Sequence, residues 1–380
     1  LPDSIDPAFM RLAIALGRRV LGRVWPNPAV GCVIVRDGRI LARGWTQPGG
    51  RPHAEAMALA ACDARGATAY VSLEPCAHHG RTPPCSNALI SAGVVRVVTA
   101  LTDPDPRVAG RGHAMLRAAG VDVVEGVEAA AAHAANAGFL LRLTQNRPFV
   151  TLKLAMTLDG RIATSSGESR WITGAVARRT VHAMRASHDA VLVGAGTART
   201  DDPDLRVRGL GVVHQPVRIV AAPRLDLDTA GRLGRSIPDA PVWVLHGPDA
   251  PAADVTAWQG AGALTLSCPV AADVRGLDPR AMMQTLAAQG LTRVFCEGGG
   301  TLAASLLRAG LVDQIVVFSA GKLIGAEGRA GLGALALTRL ADAPQFKLAR
   351  VQLVGDDVMQ IWSRAPFKFG AGASGEREEG

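Results

Sequence analysis

Apolar positions recur three and four residues apart at Phe9, Leu12, Ala13 and Leu16, which predicts a helix that ends before Pro26. The period then drops to that of strands at residues 30–35 and 39–42, and the Asp37-Gly38 pair between them is a hairpin turn. Helical spacing returns at Ala56, Leu59 and Ala60, so His53 and Glu55 are expected in a first helical turn. Residues 70–73 read as a strand, and another helix starts at Asn87, just after Cys85. A strand at 94–99, a helix around Met115, a strand at 121–124 and an Ala-rich helix over 128–143 follow. Strands alternating with helices imply a layered α/β sheet.

The helical pattern stops at Gln145-Asn146-Arg147-Pro148, because proline disfavours helix at the residue before it. A first domain is therefore placed at residues 1–147 and a second at 148–368, with 369–380 a disordered tail of glycine, alanine and charged residues. The second domain opens on a β-prone run at 149–155. Its clearest local signal is Val294-Phe295-Cys296-Glu297-Gly298-Gly299-Gly300-Thr301-Leu302, a strand, a glycine turn and a helix. Glycines let the backbone approach a phosphate, and a helix N-terminus offers free N–H donors. Such a turn serves structure as often as ligands, and it is not the GxGxxG of a Rossmann domain. The stretch 229–278, rich in proline and alanine, says little.

Composition narrows the classes. A chain of 380 residues can form two domains with sizeable cores. Although 48% of residues are hydrophobic, no apolar run reaches membrane-spanning length, and no secretory signal opens the chain. Six cysteines argue for a reducing, cytoplasmic setting rather than a disulfide framework. The net charge of +8 comes from scattered basic residues with few aromatics, which suits anionic small molecules better than nucleic acid.

The richest chemistry lies between Pro52 and Cys85. His53, Cys76 and Cys85 offer one imidazole and two thiolates, a zinc set that leaves a fourth tetrahedral position for water. Zinc lowers the pKa of that water toward neutrality, and Glu55 stands beside it as proton carrier. Cys32, Cys62, Cys268 and Cys296 sit in apolar runs and read as buried structural thiols. His78 and His79 are alternative ligands; if one filled the fourth position, the metal would be structural. Asn27, between two prolines, suits a side chain that hydrogen-bonds a heterocycle, or else a turn-forming residue.

His-x-Glu followed by Pro-Cys and a second Cys is the signature of zinc nucleobase deaminases. The seven residues His78 to Pro84 inserted before Cys85, together with Pro26-Asn27-Pro28-Ala29-Val30-Gly31-Cys32, resemble the riboflavin-biosynthesis bifunctional deaminase/reductases. Thr157-Leu158-Asp159-Gly160-Arg161 and Gly167-Glu168-Ser169-Arg170-Trp171-Ile172-Thr173 resemble their reductase half. The resemblance implies an α/β chain with an N-terminal cytidine-deaminase-like α/β/α domain followed by a dihydrofolate-reductase-like α/β domain.

The resemblance also implies two reactions in series. Zinc-dependent deamination of a diamino-hydroxy-phosphoribosylamino-pyrimidine would release ammonia, and NADPH would then reduce the ribosyl group to a ribityl chain. It implies substrate contacts from Ser169, Arg185, Asp201, Leu205, Arg208 and Glu297, with the arginines on the phosphate. It implies an NADPH site lined by Ala155, Trp171, Thr197, Asp201, Gly299, Gly300, Thr301, Leu302, Ala303, Ala304 and Ser305. A homo-oligomer, dimer or tetramer, is implied as well. Read without the family, most of the charged residues among these are solvated surface groups. Thr46 and Ala222 depart from the family, where a His and an Asp are common. The rival function, a nucleic-acid deaminase, shares the zinc residues but leaves the second half unexplained.

Overall fold

The computed structural model describes residues 6–77, 83–105, 108–271 and 276–364. The expected tail at 369–380, and His78 and His79, lie outside the described residues.

The first domain runs α1 (Asp6–Arg18), β1 (Gly31–Arg36), β2 (Arg39–Trp45), α2 (Ala54–Leu59), β3 (Thr68–Val71), α3 (Cys85–Ser91), β4 (Arg96–Thr99), α4 (Arg111–Ala118), β5 (Asp122–Val124) and α5 (Ala129–Gln145). Its five strands order as β2-β1-β3-β4-β5. β1 is antiparallel to β2 and β3, whereas β3, β4 and β5 are parallel. The β1–β2 hairpin turns at Asp37 and Gly38, both with positive φ, as the sequence predicts. Helices cover both faces of the sheet, so β1 is buried from Gly31 to Val35.

α1 exists as predicted but turns a shifted face inward: Met10, Ala13, Ile14 and Gly17 are buried, while Phe9 and Leu12 are only partly so. The small residues decide it. α1 lies so close to β1 that a Cβ on Gly31 would sit 1.9 Å from the Ala13 carbonyl oxygen. His53 is the cap of α2 rather than a residue of its first turn, and β3 ends at Val71, two residues earlier than the apolar run. Ser72 leaves the strand because its hydroxyl accepts the Gly31 N–H at 3.0 Å.

The second domain runs β6 (Phe149–Thr157), β7 (Arg161–Ala163), α6 (Ala175–Ala186), β8 (Ala190–Gly194), α7 (Ala195–Asp201), β9 (Val217–Ala221), α8 (Arg232–Arg235), β10 (Val242–His246), α9 (Ala252–Gly260), β11 (Leu264–Ser267), α10 (Pro279–Ala288), β12 (Arg293–Cys296), α11 (Gly300–Arg308), β13 (Gln314–Ala320), β14 (Arg329–Ala330), β15 (Lys347–Val354) and β16 (Asp357–Ser363). Nine strands form one sheet in the order β11-β10-β9-β8-β12-β6-β13-β16-β15. The sheet is parallel from β11 to β13, with β16 and β15 added antiparallel. β12 returns late in the chain to lie between β6 and β8. Ligands of open parallel sheets bind beyond the carboxyl ends of the strands, and Glu297 and Thr197 stand just past β12 and β8.

Candidate active sites

The first site is built at the ends of two helices and one strand. His53 caps α2, Glu55 lies in that helix's first turn, Cys76 follows β3, and Cys85 opens α3. The three ligand atoms all lie within 4.8 Å of one another. His53 Nδ1 is 3.2 Å from Cys85 Sγ and 3.7 Å from Cys76 Sγ, close to the roughly 3.5 Å edge that tetrahedral zinc bonds of 2.0 to 2.3 Å require. One imidazole and two thiols converging at those separations fit a zinc ion.

Charge is distributed unevenly around this cluster. Donation from Cys85, thiol and backbone N–H alike, and from His53 lowers the Cys76 thiol to about 4. The same contact with Cys76, together with burial, pushes the Cys85 thiol up. Support of a thiolate by the N-terminus of α3 therefore reaches Cys76, whose Sγ accepts the Cys85 N–H at 3.3 Å. It fails for Cys85 because two adjacent thiols share one proton until a cation neutralises them. Glu55 is only 4% exposed; burial raises its carboxyl above the usual carboxylate range, and it faces the Cys85 thiol. A carboxyl with a raised pKa beside the candidate metal ligands can both take and return a proton.

The buried Glu74 is a residue that the sequence reading passed over. Its carboxylate accepts the N–H groups of Asp103, Gly110, Gly112 and His113, so it ties the strand end that presents Cys76 to the start of α4. Only its position directly before Pro75-Cys76 could have signalled it. Asn27 lies against Gly50, three residues ahead of His53. Thr46 is buried: its hydroxyl accepts the Val30 N–H at 3.1 Å and so serves the backbone rather than a ligand.

The second site is a cleft of about 520 Å³. Ser169, Trp171, Arg185, Thr197, Asp201, Leu205, Arg208 and Glu297, named from sequence, all line it. Arg185 donates to Glu297 from Nε at 2.5 Å and from Nη2 at 3.1 Å, and from Nη1 to the Arg206 carbonyl. That pairing holds the Glu297 carboxyl low against the opposing effect of burial. Trp171 stacks under Arg178 at 4.5 Å, and Leu205 is buried in the left-handed region at φ 61°.

Other expected residues lie elsewhere. Ala155 packs against the cluster around Phe295 and Phe318, and Ala303 and Ala304 are buried on the inner side of α11. Two of the glycines answer to packing. A Cβ on Gly298 would meet Leu302 at 2.6 Å, and one on Gly300 would meet the Gly333 nitrogen at 2.9 Å. Gly299, whose N–H reaches the Thr197 hydroxyl at 3.2 Å, links the first turn of α11 to the cleft; Thr301 is exposed, and Leu302 and Ser305 are half-buried. Ala222 points into the core beneath β9 and β10.

The cleft also holds Lys153 and His182, which sequence reading did not single out. Lys153 sits in the middle of β6, where alternation marks it as an ordinary strand residue. Burial lowers its ammonium below the usual lysine value, with Glu297 opposing. His182 Nδ1 accepts the Arg208 N–H at 3.2 Å.

Comparison with known proteins places both halves. A family model described as the cytidine and deoxycytidylate deaminase zinc-binding region matches residues 3–101, and one described as the RibD C-terminal domain matches 148–360. The chain is 42% identical over 368 residues to the riboflavin biosynthesis protein RibD of Escherichia coli, covering 93% of this chain and 98% of that protein. For the same protein of Aquifex aeolicus the identity is 38%, covering 95% and 99%. A solved structure of Acinetobacter baumannii RibD superposes with a TM-score of 0.84 at 37% identity, covering 95% of this chain and 99% of that one. The Thermotoga maritima diaminohydroxyphosphoribosylaminopyrimidine deaminase/5-amino-6-(5-phosphoribosylamino)uracil reductase gives 0.81 at 34%, with 95% and 99% covered.

Proposed function

The chain belongs to the RibD family of bifunctional riboflavin-biosynthesis deaminase/reductases, and from that premise we propose how its residues divide the two reactions. The deaminase domain, residues 1–147, converts 2,5-diamino-6-(5-phosphoribosylamino)pyrimidin-4(3H)-one to 5-amino-6-(5-phosphoribosylamino)uracil and ammonia. The reductase domain, 148–368, then turns the ribosyl group into a ribityl chain.

The observation that carries the first half is the convergence of His53, Cys76 and Cys85 beside the buried Glu55. When bound there, zinc supplies the Lewis acidity that makes water a nucleophile at neutral pH. Glu55 takes the proton that water loses and hands it to the departing amine, a transfer its raised carboxyl suits. Asn27 holds the heterocycle.

In the second domain, a nicotinamide cofactor, NADPH, supplies hydride. Ser169 and the guanidinium groups of Arg185 and Arg208 hold the substrate phosphate, Glu297 fixes Arg185, and Thr197 and Gly299 line the cofactor side. Lys153, a cation of lowered pKa within the cleft, is placed to protonate the sugar oxygen released as the ring opens.

Six free cysteines support a reducing, cytoplasmic location. Leu348, Val351 and Leu353, exposed on the edge strand β15, support a dimer or tetramer. The test combines purified protein, zinc, the phosphoribosylaminopyrimidine and NADPH. One ammonia per NADPH oxidised is the result expected. Absence of NADPH oxidation when the deaminated intermediate is supplied directly overturns the second activity.

A further inference from the structure

One loop, between α1 and β1, touches both domains. Trp25 packs against the main hydrophobic core of the reductase domain, its ring edge-on to Trp243 of β10 at 6.2 Å. Pro26 lies against Gly290, where an added Cβ would stand 3.2 Å from the proline's own. The Gly22 carbonyl accepts a hydrogen bond from His214 Nε2 at 3.0 Å. Three contacts from three separate segments of the second domain thus grip residues 22–26.

The same loop is wired to the deaminase site. The Arg23 carbonyl accepts the Gly49 N–H at 2.9 Å, and the Val24 carbonyl accepts the Asn27 N–H at 2.9 Å. Gly50, with φ 86°, presses so closely on the Asn27 amide that a Cβ there would sit 2.0 Å from Nδ2. The position of Asn27, and of the turn ahead of His53, is therefore fixed by a loop whose outer side is held in the other domain.

We infer that Trp25 and its socket at Trp243 are positioning residues for deamination: the reductase domain sets the geometry with which Asn27 meets the pyrimidine. The first site is incomplete without the second domain, although its candidate metal ligands, Glu55 and Asn27 all come from the first. This rests on Asn27 as a substrate ligand. The contacts of Trp25 given above are with the second domain, so its loss is expected to move substrate binding and leave chemistry and metal in place. Weakening one neutral hydrogen bond to the pyrimidine costs up to roughly tenfold in substrate affinity.

The test uses the full chain with ammonia release followed over a range of substrate concentrations. Trp25→Ala and Trp243→Ala are each expected to raise the deaminase KM roughly tenfold, with kcat within about twofold and zinc content unchanged. Trp25→Phe, which refills the socket with an aromatic ring, is expected to restore most of the affinity. Reductase KM for the deaminated intermediate stays constant in the Trp25 variants. Should Trp25→Ala be insoluble, Trp25→Leu takes its place. Asn27→Ala, run beside them, is expected to raise KM at least as far. An unchanged KM in the Trp25 and Trp243 variants, with Asn27→Ala raised, overturns this inference alone. An unchanged KM in Asn27→Ala overturns the reading of Asn27 and this inference with it. Parallel loss of kcat, zinc and KM makes the socket a general stability element and also overturns it.

Discussion

Glu55 and Glu74 illustrate how differently two buried carboxyls work within one site. Burial raises the Glu55 carboxyl above the usual carboxylate range, and its role requires that it gain and lose a proton. Glu55→Gln keeps the shape and removes the transfer, so ammonia release should fall by about 10² to 10⁴ with zinc content unchanged, measured by ammonia assay and metal analysis. Glu74 accepts four backbone N–H groups and faces no ligand position. Glu74→Ala strands those donors in the interior and should lower unfolding stability by about 3 kcal/mol in a urea titration. Thr46 adds a third case: its hydroxyl is committed to Val30, so Thr46→Val should cost about 1 kcal/mol of stability while leaving substrate KM unmoved. The family's His-x-Glu and Pro-Cys residues were legible because a metal set is a matter of residue type and short spacing. Glu74 was not, since its partners lie 29 to 39 positions later.

At the scale of elements, α6 carries Arg178, His182 and Arg185 on one face toward the cleft, spaced four and three residues apart as a helix face requires. Its end is fastened by the buried His188. The ring's Nδ1 donates to the Met184 carbonyl at 2.7 Å, and its Nε2 accepts from the Thr151 hydroxyl of β6 at 2.9 Å. The Nε2 bond needs the neutral imidazole, and burial depresses the ring's pKa from 6.5 to about 3 against the pull of the Met184 carbonyl. Between those values the unfolded chain binds a proton that the folded chain refuses. Stability from this residue is complete above pH 6.5 and is lost as the pH falls toward 3, at up to about 1.4 kcal/mol per pH unit. Urea midpoints across that window should therefore slope less steeply in His188→Gln than in the parent protein. The glycines before α11 teach the opposite lesson. Their pattern suggests a phosphate turn, yet Gly298 and Gly300 are required by Leu302 and Gly333 of the chain itself.

For the molecule as a whole, the two sites occupy separate sheets and call on different chemistry. Removing zinc with a chelator should abolish ammonia release while the protein still oxidises NADPH with the deaminated intermediate, a separation visible by running both assays on one preparation. Loss of both activities together would show that the metal also supports the second domain. The alternating elements of the first half and a residue set of the type that binds a metal could be read from the sequence alone, because periodicity and ligand spacing are properties of neighbours along the chain. Tertiary structure alone decided that β12 lies between β6 and β8, which brings Lys153, Arg185 and Glu297 into one cleft across more than a hundred residues. It also seated Trp25 in the other domain. Local patterns state how a segment folds, but which segments become neighbours is set by the packing of whole faces, where no short spacing records the partner.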